Sequence, residues 1–428
     1  MMEKIKSLIL TLLVFFSLFQ SYLLVYSKPD FNPVNQDEYI DTRLNGSQEN
    51  VVNMIFPKHM VLHFGDDKHT MVYPNFKFYN DIYEKITQRT FESFRPVTIS
   101  PVEKVKMREY QGLELEFMDG IPVQWLENTM QVNSESINRN VSVNKIWIYV
   151  TENQEIRTLF FDDSTLKVYE ATKVDLKVED IQEYVGYGEF QPTYHTNNGI
   201  YYLPDEPLQM VRLTVGYSHF QKDQLVASLF VDPNMSRTVV DSEGREIISD
   251  GAIGLELNEN QNWMSYYDPE TPVESSSDLM DDLLTSIKFV NQHGGWSRTH
   301  LISTISDENE EQFFKFQQYV KPAPNVQALP ILPSERLKLG YVDITMQKGV
   351  VTDYERSLIN LSNVNVQKSA YQLLGGEVLE QLIRKYEQDF NIINIFPAYY
   401  PIVKEEYIDL IPYWAYELSD GTFGFLIQ

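Results

Sequence analysis

The chain has 428 residues, 43% hydrophobic and 13% aromatic, which excludes a disordered protein and is enough for two or three packed domains. Lys plus Arg number 35 against 61 Asp plus Glu, a formal charge of −26, so the surface repels nucleic-acid phosphates and anionic headgroups. Cysteine is absent, which removes disulfides, thiolate nucleophiles and Cys-based zinc sites.

At the amino terminus Lys4 and Lys6 precede an uncharged, mostly apolar run from Leu8 to Tyr26. At ~1.5 Å per residue this helix would span about 28 Å, close to a bilayer core. Lysines before the run and Asp30, Asp37 and Glu38 after it place the amino terminus inside and the bulk of the chain outside. A cleaved signal peptide is the competing reading, with Val25 and Ser27 as a weak cleavage site, but the run exceeds the usual length of about 7–15 residues. The expectation is an uncleaved single-pass anchor within 1–27. Ser17, Gln20 and Ser21 share one face of it and are the candidates for contact with a partner helix.

Residues 28–50 read as a polar linker. Three outer regions follow, 51–192, 193–305 and 306–428. In the first, "HMVLHF" is expected to be a strand and 75–94 an amphipathic helix, with Tyr79, Ile82, Tyr83, Ile86 and Phe94 on its apolar face. "GLELEFMDGIPVQWL" reads as a strand and a Pro-marked turn, and 145–172 as a hairpin or meander about Glu152-Asn153. In the second, "LQMVRLTVGYSH", "QLVASLFVDP", "SRTVVDSEGREIISDG" and "AIGLELNENQNWMSYYD" are expected strands. A helix near 276–292 closes the region, with an N-cap among Ser275–Ser277 and Asp278, Asp281 and Asp282 at its positive end. The third has the strand "KLGYVDITMQ", a helix over 376–390 and a hairpin about Asp420-Gly421. Strands followed by single helices predict an α+β fold with mainly antiparallel sheets.

Each catalytic pattern in the sequence meets a plainer explanation. His293-Gly294-Gly295 matches part of an esterase oxyanion loop, yet it ends a helix, where glycines turn the chain into the left-handed region. No G-x-S-x-G elbow is present; Gly216-Tyr217-Ser218-His219-Phe220 is the nearest miss. His59 and His63 have zincin spacing, but Met60 stands where the general base belongs. His63, Asp66, Asp67 and His69 could form a loop site for a divalent ion, or simply a solvated turn. Adjacent carboxylates such as Asp162-Asp163 are expected by number alone. No catalytic, cofactor or metal residue is therefore assigned. Near the carboxyl end Tyr413, Trp414 and Tyr416 are candidates for an outer protein contact, with filling of a core as the alternative.

Several segments, in order and spacing, carry a resemblance: the Lys-flanked anchor, "LEFMDGIPVQWL" (115–126), "LFVDPNMSRTV" (229–239), "FVNQHGGW" (289–296), "KGVVTDYERSLINL" (348–361) and "IPYWAYELSDG" (411–421). The chain resembles the YycH family, anchored extracytoplasmic regulators of the WalK/WalR (YycG/YycF) two-component system in low-GC Gram-positive bacteria. The linker and the 300–335 connection depart from the family pattern. The resemblance implies a non-enzymatic protein with a three-domain outer part. Its implied partners are the sister single-pass protein YycI and the sensor kinase WalK, whose output governs cell-wall metabolism. Transmembrane contacts are part of that picture, though the family supplies no motif at Ser17, Gln20 and Ser21. The sign of the effect on the kinase does not follow. An anchored wall enzyme and a tethered ligand-binding module are the rival readings.

Overall fold

The computed structural model describes residues 46–427 except 138–140, 243, 259, 261, 270–277, 309–310, 335–336, 363 and 365, together with Lys6, Leu13, Val14, Phe16 and Ser17. The chain divides into two units, 1–38 and 39–428. The five described residues of the first are helical. Among the described residues no helix is long and apolar enough to cross a membrane. The expected anchor over Leu8–Tyr26 lies mostly outside them, as do the expected N-cap residues Ser275–Ser277.

The second unit is a mixed α+β body of three sheets, antiparallel throughout except where strand Thr90–Val97 meets Gln131–Val132. Ten strands between His59 and Pro204 form the amino-terminal sheet. Its centre is the expected meander, now three strands, Ser142–Val150, Ile156–Asp162 and Lys167–Val174. Helices Lys77–Thr87 and Val178–Gly186 send Tyr79, Ile82, Ile86, Ile181 and Tyr184 into its core.

The expected helix over 75–94 stops at Thr87, and Thr90–Val97 is a strand. Ser93, at φ +56°, is skipped in the pairing with Lys167–Val174, although the register is the same on either side of it. The left-handed residue breaks the alternation of the strand, and Phe91 and Phe94 both pack on Phe160, so an i, i+3 spacing that resembles a helix belongs to an interrupted strand. After Pro122, the expected turn is a short helix, Val123–Thr129, whose Trp125 is fully buried.

The other two sheets are nested. Strand Leu208–His219 starts the carboxyl-terminal sheet, which is completed only by strands from Ile359 to Phe425. Between them the chain builds a nine-stranded middle sheet, from Arg237–Val240 to Val350–Ser357. Here Trp263–Tyr267 pairs with Val350–Ser357, distant in sequence. The boundary expected at 305/306 therefore runs through strand Thr299–Glu308, because a pairing between remote strands leaves no mark on either one alone. One core cluster also joins the amino-terminal and middle sheets, with Trp125 beside Phe314.

"QLVASLFVDP" is another correction: Lys222–Leu229 is helical. Leu225, Val226 and Leu229 fall at i, i+1 and i+4, so one helix face buries all three. Helix Leu279–Gln292 forms as expected, capped by Asp278, whose carboxylate accepts from the Met280 and Asp281 amides.

Candidate functional site

The His-Gly-Gly stretch has a structural role that the sequence only half revealed. Gly294 and Gly295 do end the helix in the left-handed region, at φ +114° and +69°. They also receive the chain where it enters the described body. The Ser47 and Trp296 backbones exchange two hydrogen bonds, each 2.9 Å. A Cβ on Gly46 would lie 2.2 Å from the Gly294 carbonyl oxygen, so only glycine permits the approach. Asn291 completes the clamp: its Oδ1 accepts from the Glu49 amide and the Trp296 indole, and its Nδ2 donates to the Glu49 carbonyl. The entering chain is thus fastened to the middle-sheet helix, not to the amino-terminal sheet that follows it in sequence.

The histidines of the possible loop site form a hydrogen-bonded line and not a metal cage. Strand His59–Gly65 carries His63, its hairpin partner Lys68–Val72 carries His69, and strand Gln111–Pro122 lies on the other side with Glu114. His63, His69 and Glu114 are completely buried. His63 Nε2 meets Glu114 Oε1 at 2.9 Å, His63 Nδ1 meets His69 Nδ1 at 2.8 Å, and His69 Nε2 meets Asp67 at 3.1 Å. The two imidazoles face each other at hydrogen-bond distance, closer than the ~3.3 Å that two nitrogens take around tetrahedral zinc. Among the described residues no group of three such side chains suits a metal.

This chain of contacts has a proton count. Its three hydrogen bonds need three protons, whereas two neutral imidazoles carry two. Glu114, an acceptor at the buried end, fixes His63 as donor through Nε2, so a neutral pair leaves His69 Nε2 without a proton toward Asp67. The gap falls at the exposed end, where Asp67 meets solvent. Burial, then the nearby charge of His63, lowers the His69 pKa to about 4. Burial pushes Glu114 up, but the Lys145 ammonium and the His63 bond outweigh it and hold the carboxyl well below the usual range.

Around this line the charges are paired. Lys145 Nζ bridges Glu114 at 2.6 Å and Glu116 at 2.8 Å, and His59 meets Glu116 at 3.2 Å. Trp147 stacks on His63, and Tyr202 donates to Glu114 from the segment leading to the carboxyl-terminal sheet. Arg108 ties that segment down through the Gly199 carbonyl and the Tyr202 hydroxyl.

The aromatic candidates separate. Trp414 is buried and donates to the Leu374 carbonyl, and Tyr416 is buried against Tyr386 and Phe390. This corrects the expectation of a surface contact for those two: on a strand packed over helix Gly376–Tyr386 they fill the core. Tyr413, on the opposite face, is half-buried beside Tyr400 and Phe425. Of the anchor candidates, Ser17 is helical and exposed; Gln20 and Ser21 lie outside the described residues. Ser218 and His219 sit on a strand, and His219 bonds Asn262 instead of the serine.

Comparison with known proteins covers nearly the whole chain. The family described as "YycH protein, N-terminal domain" matches residues 3–187, and "YycH protein, C-terminal domain" matches 198–424. The chain is 20% identical over 442 aligned positions to the "Two-component system WalR/WalK regulatory protein YycH" of Bacillus subtilis (strain 168), covering 97% of this chain and 95% of that one. It shares its fold with the crystal structure of YycH from Bacillus subtilis at a TM-score of 0.69 and 19% identity, covering 90% of this chain and 98% of that one.

Proposed function

Because the chain belongs to the YycH family, we propose that it is a membrane-anchored, non-enzymatic regulator of a two-component system of the WalR/WalK kind, acting outside the cytoplasm. The carrying observation is end-to-end similarity to a relative named as a WalR/WalK regulatory protein. In this reading the chain associates with the sensor kinase WalK and the sister protein YycI, and through the kinase adjusts cell-wall metabolism.

A regulator alters signalling only if it binds one kinase state better than another, and a tenfold shift in the state ratio takes about 1.4 kcal/mol of differential affinity. A few contacts between membrane helices, at about 0.6–2 kcal/mol each, are of that size, and Ser17, Gln20 and Ser21 are the residues proposed to make them. The clamp at Gly46–Glu49 supports coupling, since any displacement of the entering chain reaches the middle sheet without slack.

The test is a mild-detergent pull-down of the tagged full chain from its native membranes, beside a version with residues 7–27 replaced by an unrelated anchor. Co-purification of a sensor kinase and a second single-pass protein, weakened by the swap, is the expected result. Co-purification unaffected by the swap moves the contact to the outer domains and removes the role given to Ser17, Gln20 and Ser21. Absence of both partners, under conditions that preserve other membrane complexes, overturns the regulator.

A further inference from the structure

Strand Leu208–His219 is paired unequally on its two edges. Strand Gln367–Leu373 covers one edge along Leu208–Thr214. On the other, pairing with strand Tyr407–Leu418 begins only at Leu213, and among the described residues Leu208–Arg212 has no strand beside it there. A cleft of about 330 Å³ opens at that place. It is touched by Leu208, Gln209, Met210 and Val211 in succession, and by none of the residues of strand Gln367–Leu373. Side chains alternate between the faces of a strand, so a cleft that meets four consecutive residues looks onto the backbone edge.

A second under-paired strand borders the same cleft. Lys68–Val72 pairs with Tyr194–His195 only through His69 and Tyr194, and Met71, beyond that pairing, lines the opening. Segment 322–329 closes the far side, held to the amino-terminal sheet by Asn75, which donates to the Ala323 and Val326 carbonyls. Tyr399 reaches in from the carboxyl-terminal sheet and donates to the Val211 carbonyl at 2.9 Å. All three sheets therefore contribute to one slot.

The lining has a clear chemical character. In a chain where 22% of residues are charged, none of the cleft's side chains is Asp, Glu, Lys, Arg or His. Gln191, Gln209, Asn325 and Gln327 supply amides that can both donate and accept. Three prolines, two methionines and the rings of Phe76, Tyr194 and Tyr399 supply apolar surface. A charged ligand would lose its hydration here and find no counter-charge.

We infer that this cleft is a binding site for an extended, uncharged peptide segment of a partner protein, which adds as a strand along Leu208–Arg212. Five residues without a neighbouring strand on that side, the Val211 carbonyl among them already taken by Tyr399, offer about 17 Å of edge, room for a short strand. The amides complement a peptide backbone, and the apolar wall receives alternate side chains. Since three sheets meet at the slot, an occupant would bind their mutual arrangement and not one sheet alone. The inference stands apart from the regulatory reading, because its test involves no kinase.

The experiment selects from a displayed library of random dodecapeptides on the full chain in detergent micelles, then measures the winning sequence as a capped synthetic peptide. An uncharged sequence is expected to win. Gln209→Glu and Gln327→Glu, each checked for an unchanged melting temperature, should weaken it at least tenfold. N-methylation of one alternate set of peptide amides should abolish binding, while methylation of the intervening set changes it less than threefold. That pattern requires strand pairing and decides the matter even if neither variant folds. Failure to enrich any uncharged peptide, or equal tolerance of both methylation sets, overturns the proposal. Binding of an N-acetylglucosamine tetrasaccharide in place of peptide, lost in the same variants, would assign the cleft to a saccharide and overturn it too.

Discussion

The amino-terminal sheet hides charge where the middle sheet shows hydrocarbon. Glu114, His63 and His69 are sealed between strands, with Lys145 and Glu116 closing the seam. At the free edge of the middle sheet, strand Arg237–Val240 leaves Val239 and Val240 63% and 60% exposed, and its neighbour exposes Ile247. Adjacent residues of a strand point to opposite faces, so exposure of both valines means the hairpin overhangs the core. Burial here follows position in the sheet more than polarity: charge is tolerated inside when every partner is present, and apolar groups remain outside where no layer reaches them.

The strongest attack on this contrast is Glu114→Ala. It takes one of the two carboxylates from Lys145 and removes the acceptor of His63, and breaking such a buried pair costs about 3–5 kcal/mol. Urea unfolding should show a markedly lower midpoint at unchanged slope; a loss under about 1 kcal/mol would mean the seam is hydrated and not buried.

Acid is the next test. Burial lowers the pKa of His59; it also lowers those of His69 and His293, to about 4, and that of His300, to about 3. Each takes up a proton on unfolding, so their contribution is complete above about pH 6.5 and is lost as pH falls through the folded values. Asp343 acts the other way. Burial raises it to about 6, so its contribution is present at low pH and disappears as pH rises through that value. Burial raises Asp353 as well; with four histidines against these two carboxyls, melting temperature should fall between pH 6.5 and 4, and a flat profile there would contradict the buried histidines.

A smaller effect sharpens the proton count. Asp67→Asn places an amide donor toward the bare His69 Nε2, at a left-handed position, φ +57°, that asparagine accepts readily. The variant should gain about 0.5–1 kcal/mol at pH 7 and lose that advantage in acid, read from paired denaturation curves. Smallest of all, Val239→Lys with Val240→Lys should leave stability within about 0.5 kcal/mol, while light scattering reports less self-association. A large stability loss would show that the hairpin packs after all.

The legible parts of the fold were those with local signatures. The meander over 142–174, the helix Leu279–Gln292, the closing hairpin and the left-handed Gly294 and Gly295 all announce themselves within a few residues. The left-handed Ser93 gave strand residues a helical spacing, and Leu225, Val226 and Leu229 passed for a strand because the run was short. The charged seam left a partial trace: "LELEF" puts Glu114 and Glu116 on one strand face, and His59 and His63 share a face of theirs. What closes that face, Tyr202 and Trp147, comes from remote segments, so its burial could not be read locally. For the same reason the cleft was invisible, being a gap defined by where pairing stops.

The nesting of the sheets has a consequence in time. Strand Leu208–His219 is synthesised early, yet the strands that complete its sheet begin at Ile359, about 140 residues later. At roughly 5–20 residues per second a ribosome takes about 7–28 s to supply them. Throughout that interval Leu213 and Val215, fully interior in the finished molecule, lack the strands that pair with them. The chain must complete its parenthesis before it can finish its sentence, and whatever guards nascent chains must hold that one strand in the meantime.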